Sequence, residues 1–564
     1  MTQAAPHSVS SRLPRPHPRP WALLGALSCL LGVACSGAAS SAPPRSPAPA
    51  PDVADGSRDP SAPPPQQDDL SLPPADAAVP PPPALCASYG SAPSDVSPAE
   101  GGGSCDAAAL AQALTAGEGS ARTEEARADA ALARDRALAA LERCPAWPAA
   151  TLRALRAELA PTECGDVLVE DQLTPGAEGR ARELDETLFA LGLAARLRRL
   201  ATHPPEPPEV HDKPTLEAYF QERLFPWIQE QSAAIHQLAE RGARLRGYAR
   251  GVVAVEAGMA DMRFVELARA APIPQEMQDD PELRTVYYGT LDEALEPRKR
   301  RGRDAALAGL AELAEVGVLN DARLTAARTL LSSVYGGRRI DALDRLLLPG
   351  LVPMRVTDSV ELTLAARVPA FYAPWFLPEP SGTPPEQLLR ASLERGLPRH
   401  LRDDLRSRPL DDATALLLAR GYVELGRAYF RAQDFAEAHR LLEGRGGDEI
   451  DFHRALAMAL MAGPRNAADM IARGPRFADA LGNLGPLDAL ASSSSYLAGH
   501  AAYDAAYLRE LVAPEESAAY WQDLAERYTA AAGKLGGDAE SEARKRAAAA
   551  RATSEAITTS QRAR

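Results

Sequence analysis

The stretch Tyr422-Val423-Glu424-Leu425-Gly426-Arg427-Ala428-Tyr429-Phe430-Arg431-Ala432-Gln433-Asp434-Phe435-Ala436-Glu437-Ala438 decides the fold. Tyr422, Leu425 and Tyr429 recur at spacings of three and four, which puts them on one face of a helix. Gly426 and Ala438 are small enough to let two helices approach closely, and Asp434 offers a carboxylate to cap the second. The reading is a helical hairpin whose seam is filled by the two tyrosines and the leucine. Beyond Leu442, Gly444, Gly446 and Gly447 stop the second helix.

These residues resemble the tetratricopeptide repeat family. Tyr422 matches its first aromatic position, Leu425-Gly426 its Leu-Gly pair, Tyr429 the next aromatic, and Ala438 the small residue of the second helix. The terminal Pro of the family is missing after Leu442. The resemblance implies an array of hairpins, since each must bury its face against neighbours. It also implies that a protein or peptide partner binds the inner face of the first helices. On this chain that face carries Glu424, Arg427 and Arg431, read as exposed partner-binding residues. Residues 452–461 with 466–473 form a degraded second unit, and residues 188–195, with Leu191-Gly192, match half of another.

The rest of the body follows the same helical grammar. Residues 123–141 and Leu152, Leu155 and Leu159 after Pro148 read as amphipathic helices. Residues 304–337 place Leu307, Leu310 and Leu313 on one face, then Gly317 as a stop, Asn320 or Asp321 as a cap, and Leu324 and Leu331 beyond. No run of alternating β-branched residues longer than Val167-Leu168-Val169 occurs. The fold class expected is all-α, a helical hairpin array with a tetratricopeptide-like superhelix.

At the other end, Arg12, Arg15 and Arg19 precede the apolar run from Trp21 to Ala34 and then Cys35-Ser36-Gly37, the order of a secretory signal. Leu30-Leu31-Gly32-Val33-Ala34-Cys35 resembles the lipobox of bacterial lipoproteins, with Gly32 where the family carries Leu, Val or Ile. The resemblance implies cleavage before Cys35, lipidation of that cysteine, and a bilayer anchor in the cell envelope. The expected location is the outer membrane, with the body periplasmic or at the surface. Residues 1–34 are read as the signal peptide and 35–85, rich in Pro, Ala and Ser, as a disordered linker. Residues 86–203 and 204–367 follow as helical regions, 368–386 as an aromatic, Pro-rich crossing segment, 387–553 as the repeat-like region and 554–564 as a disordered tail. The chain carries a formal charge of −14, and losing the three signal arginines takes it to −17. That balance disfavours nucleic acid, which needs a basic footprint.

After that processing Cys86, Cys105, Cys144 and Cys164 remain, and in an exported domain they suggest two disulfides. If the intervening helices run up, down and up, Cys105 meets Cys144 and Cys86 meets Cys164; sequential pairing is the main rival. No metal-ligand spacing, nucleophile elbow or phosphate loop occurs, so no catalytic, metal-binding or cofactor-binding residue is expected. Arg298-Lys299-Arg300-Arg301 is read as a solvated helix start, and the aromatics of residues 368–378 as a buried crossing segment. The function expected is a non-catalytic envelope scaffold for protein or peptide partners. A glycan-binding lipoprotein and the helical part of a peptidoglycan-processing system are the alternatives.

Overall fold

A computed structural model describes residues 70–73, 78–90, 105–117, 123–173, 180–334, 340–351, 354–356, 359–377, 382–473, 482–513 and 517–563. The signal-like segment, Cys35 and most of the Pro-rich stretch lie outside these residues. In chain order the helices are α1 (Ala87–Gly90), α2 (Ala107–Thr115), α3 (Glu124–Leu141), α4 (Ala149–Leu159), α5 (Gly165–Val169), α6 (Arg182–Arg199), α7 (Lys213–Tyr219) and α8 (Phe225–Ala243). There follow α9 (Gly247–Ala270), α10 (Gln275–Asp279), α11 (Pro281–Val316), α12 (Ala322–Val334), α13 (Val360–Arg367), α14 (Ala373–Phe376), α15 (Pro385–Ser392) and α16 (Arg399–Arg406). The last are α17 (Asp412–Tyr429), α18 (Ala432–Leu442), α19 (Asp448–Leu460), α20 (Ala467–Arg473), α21 (Gly485–Ala491), α22 (Ala498–Leu511), α23 (Ala518–Ala532) and α24 (Gly537–Ala563). Among the described residues there is no strand, only an isolated bridge between Val318 and Gly396. The protein is all-α, built as an array of helical hairpins.

The chain divides into two compact units. The smaller includes His203–Glu230 and Val265–Lys299. In it the His211 carbonyl accepts from Gln275 N, and Asp212 caps α7 through Thr215 N at 2.9 Å. Leu216, Tyr219, Phe220 and Leu224 form one apolar cluster there, and Val265, Ile273, Tyr287, Leu291 and Leu295 another.

The larger unit includes Pro64–Thr202, Gln231–Phe264 and Arg300–Arg564. Here successive helices pack on one another, as α2 on α3, α3 on α4, α17 on α18, α18 on α19 and α22 through α24. One long-range pairing, α13 on α2, joins the C-terminal part of this unit to its start. The local signals act as their chemistry requires. Thr123 caps α3 at Ala126 N, Gly317 takes a φ of +84° after α11, and Asp321 accepts from Arg323 N and Leu324 N at the start of α12. The cysteines pair as Cys86–Cys164 and Cys105–Cys144, with Cα separations of 5.1 and 5.5 Å.

Three expectations need correction. Residues 70–73 and 78–85 are not free linker: Leu70, Leu72 and Val79 pack on an apolar cluster of α6, α8 and α9, and Ala78 is buried in it. The tail after residue 553 is the end of α24, where Ser554 is buried and its hydroxyl donates to Ala518 O at 2.8 Å. The basic cluster is not a helix start but lies inside α11, and Arg301 pairs there with Asp261 at 2.7 Å. The aromatic segment is interior. Phe371 stacks on Tyr248 with ring centres 4.0 Å apart, and Phe371, Tyr372 and Phe376 are buried.

Candidate functional site

The repeat-like hairpin is α17 followed by α18. Asp411 caps α17 at Thr414 N, and Phe430 ends it in the left-handed region at φ 55°. An aromatic side chain rarely takes that conformation, and Phe430 is almost wholly buried against the core. Tyr422, Leu425, Tyr429 and Ala438 are all buried. Gly426 matters because a Cβ there would lie 2.7 Å from Cζ of Phe435, so the ring of α18 rests on bare helix backbone. The Tyr429 hydroxyl donates to Val318 O at 2.8 Å, which ties the hairpin to the loop after α11.

Asp434 does not cap α18. The helix begins earlier, at Ala432, so Asp434 falls in its first turn and pairs with Arg431 Nε at 3.0 Å. Burial pushes its carboxyl up to about 7, with Arg431 pulling in the other direction.

The expected partner-binding triad is also corrected. Arg427 donates to the carbonyls of Leu343 and Asp344 and pairs with Glu424 at 3.0 Å. Arg431 is buried between Glu315 and Asp434. Only Glu424 keeps substantial exposure, with 42% of its side chain accessible. The face on which family resemblance places the partner is covered by residues 340–346 and by the end of α11.

Beside that covered face lies a cleft of about 400 Å³ between the C-terminal half of α11 and the α17–α18 turn, closed on a third side by residues 465–468. Its floor comes from α11, where Asp304, Ala308, Ala311 and Glu315 are exposed at spacings that keep them in one stripe, with Leu307 and Leu310 beside them. Arg431, Gln433, Arg465 and Asn466 form the facing rim. An acid stands at each end of a small apolar floor, and basic and amide groups oppose it. Such a site can seat one apolar side chain of a partner and orient it through polar contacts at the edge. No sequence signal marked it, because its walls come from segments more than a hundred residues apart.

A second cavity, of about 190 Å³, is lined by Glu158, Tyr248, Asp321, Arg323 and Phe371 among others. Its ionisable groups are already engaged: Arg323 pairs with Glu158, and the Tyr372 hydroxyl donates to Glu158 Oε2 at 3.3 Å. Burial pushes the Glu158 carboxyl up, and Arg323 pulls it down. Among the described residues no group of three or more His, Cys, Asp or Glu could hold a metal ion, and no helix is long and apolar enough to cross a membrane.

His453 of α19 is fully buried, and its Nδ1 donates to Glu449 O at 2.8 Å, the arrangement of a neutral ring. Burial lowers its pKa to about 4. A histidine depressed in the folded state contributes stability above its unfolded pKa near 6.5, and that contribution is lost as pH falls toward 4. At pH 5 the loss is about 2 kcal/mol. Asp434 and Asp504, both pushed up to about 7, act with the opposite sign, so the test is a difference between variants. The urea-derived stability gap between wild type and His453→Leu should move by about 2 kcal/mol against wild type from pH 7 to pH 5.

No protein-family model, no curated protein and no solved structure matches the chain.

Proposed function

We propose that this chain is a non-catalytic scaffold of the cell envelope, anchored through lipidated Cys35, which holds a segment of a protein partner in the cleft between α11 and the α17–α18 hairpin. The observation that carries the reading is the cleft itself: the exposed Ala308 and Ala311 between Asp304 and Glu315, facing Gln433, Arg465 and Asn466. Two further features support it. The residues of α17 and α18 resemble the tetratricopeptide repeat family, whose hairpins serve protein binding. The paired cysteines suit an oxidising compartment, as the signal-like N-terminus does. The binding surface proposed is the cleft, in place of the covered face of Glu424, Arg427 and Arg431.

A photo-crosslinking residue placed at Ala308 in intact cells should capture an envelope protein, and Ala311→Arg in the same chain should lower that capture at least about ten-fold by filling the floor. Capture unchanged by Ala311→Arg would remove the cleft from consideration. Fatty-acid labelling of wild type against Cys35→Ala tests the anchor separately, and equal labelling would refute it.

A further inference from the structure

Where α6, α9, α11 and α16 meet there is a cavity of about 390 Å³. Its cations all come from one helix: Arg399, Arg402 and Arg406 fall at spacings of three and four on α16 and line it together. Its acids come mainly from elsewhere, Glu183 from α6 and Glu312 and Glu315 from α11, with Asp403 added by α16 itself. Tyr248 and Val316 supply apolar lining. Gly247 leaves the start of α9 open, since a Cβ there would meet nothing within 4 Å.

The two sets of charges share this space without neutralising each other. Among the described residues no ion pair joins Arg399, Arg402 or Arg406 to Glu183, Glu312 or Glu315; each set has its own partners. Arg399 lies 3.5 Å from Asp403 and Arg406 3.1 Å from Glu437, while Glu312 pairs with Arg250 and Glu315 with Arg431. Arg402, with 11% of its side chain exposed, donates Nη2 to the Glu315 carbonyl at 3.2 Å, which fixes its guanidinium at the seam of α16 and α11. A guanidinium has about five N–H donors and a carboxylate about four acceptor sites, so these contacts leave capacity on both sets. Three arginines against four carboxylates also leave the lining close to neutral. A simple anion or cation would be repelled by one set, whereas a ligand with a charge of each sign satisfies both.

Size narrows the ligand further. A sphere of the cavity's volume is about 9 Å across, the reach of a di- or tripeptide at about 3.5 Å per residue. We infer that this cavity binds a short peptide with both ends free, its carboxylate on the α16 arginines and its ammonium among Glu183, Glu312 and Glu315. The site shares Glu315 with the α11 cleft but takes its other charged groups from outside it, and it stands whether or not that cleft holds a partner.

Calorimetric titration of the full chain with trialanine and its two blocked forms tests this. Trialanine should bind with a Kd of about 100 μM or tighter, and N-acetyl-trialanine and trialanine amide each at least about ten-fold more weakly. Arg399 is 74% exposed, so Arg399→Ala leaves the fold intact; it should weaken trialanine at least about five-fold and leave the amide unchanged. Glu183→Gln with Glu312→Gln should weaken trialanine by a similar factor and leave the acetylated form unchanged. All three variants lie outside the α11 cleft, so loss of crosslinking there and loss of peptide binding here are separate results. No heat from trialanine at millimolar concentration overturns the inference, as does equal binding of the blocked forms or binding indifferent to all the substitutions.

Discussion

Replacing Cys86 and Cys164 together by alanine is expected to lower the unfolding free energy by about 4.5 kcal/mol. The bridge closes a loop of 78 residues and the Cys105–Cys144 bridge one of 39. The chain entropy released on unfolding grows with the logarithm of loop length, so the second should contribute about 4 kcal/mol. The longer bridge also does more in the folded state. Both its cysteines are fully buried in the main apolar cluster, and it ties the end of the 78–85 segment to the start of α5. Urea titrations should place wild type as the most stable, Cys105→Ala/Cys144→Ala below it and Cys86→Ala/Cys164→Ala lowest. A dithiothreitol-treated wild-type chain should fall below both. Equal midpoints for the three oxidised chains would show that neither bridge forms.

The sequence shows where helices begin and end when the signal is local. Thr123, Gly317 and Asp321 each act on backbone groups within four residues, and their roles follow from their own chemistry. The hairpin seam is legible for a similar reason, since Tyr422, Leu425 and Tyr429 need only a helix to share a face. What covers a face is not legible. Arg427 looks exposed on a helical wheel, but its guanidinium ends on carbonyls of residues 343 and 344, more than eighty positions away. Arg431 is hidden by Glu315 in the same manner.

Composition misleads at both ends of the body. Residues 70–73 and 78–85 have too few large apolar residues to fold alone, but they need no core of their own once Arg196, Arg199, Gln231 and Arg241 donate to their carbonyls. The polar end of α24 stays helical because Ser554 docks on α23. The α11 cleft is invisible for the converse reason: Ala308 and Ala311 are ordinary helix formers, and only the approach of residues 465–468 makes their stripe a floor.

Arg323→Met should cost about 3–5 kcal/mol, because it strands a carboxylate in the interior. Arg323 and Glu158 keep 6% and 2% of their side chains exposed, and the Tyr372 hydroxyl also donates to the carboxylate. The pair joins α4 to α12, and Tyr372 brings in the aromatic segment that stacks on Tyr248 of α9. Removing the guanidinium leaves Glu158 with burial pushing its pKa up and no cation opposing it. A carboxyl raised in the folded state is favoured below its unfolded pKa, and that advantage is lost as pH rises through the folded value. The deficit of Arg323→Met should therefore be full at pH 7 and shrink as pH falls toward 4.5. Glu158→Gln in the same chain removes the stranded charge and should recover more than half of the loss, since an intact buried pair contributes far less than a broken one costs. A double variant as unstable as Arg323→Met would mean that the guanidinium is held for its packing against Tyr248 and Phe371, and not for the charge of Glu158.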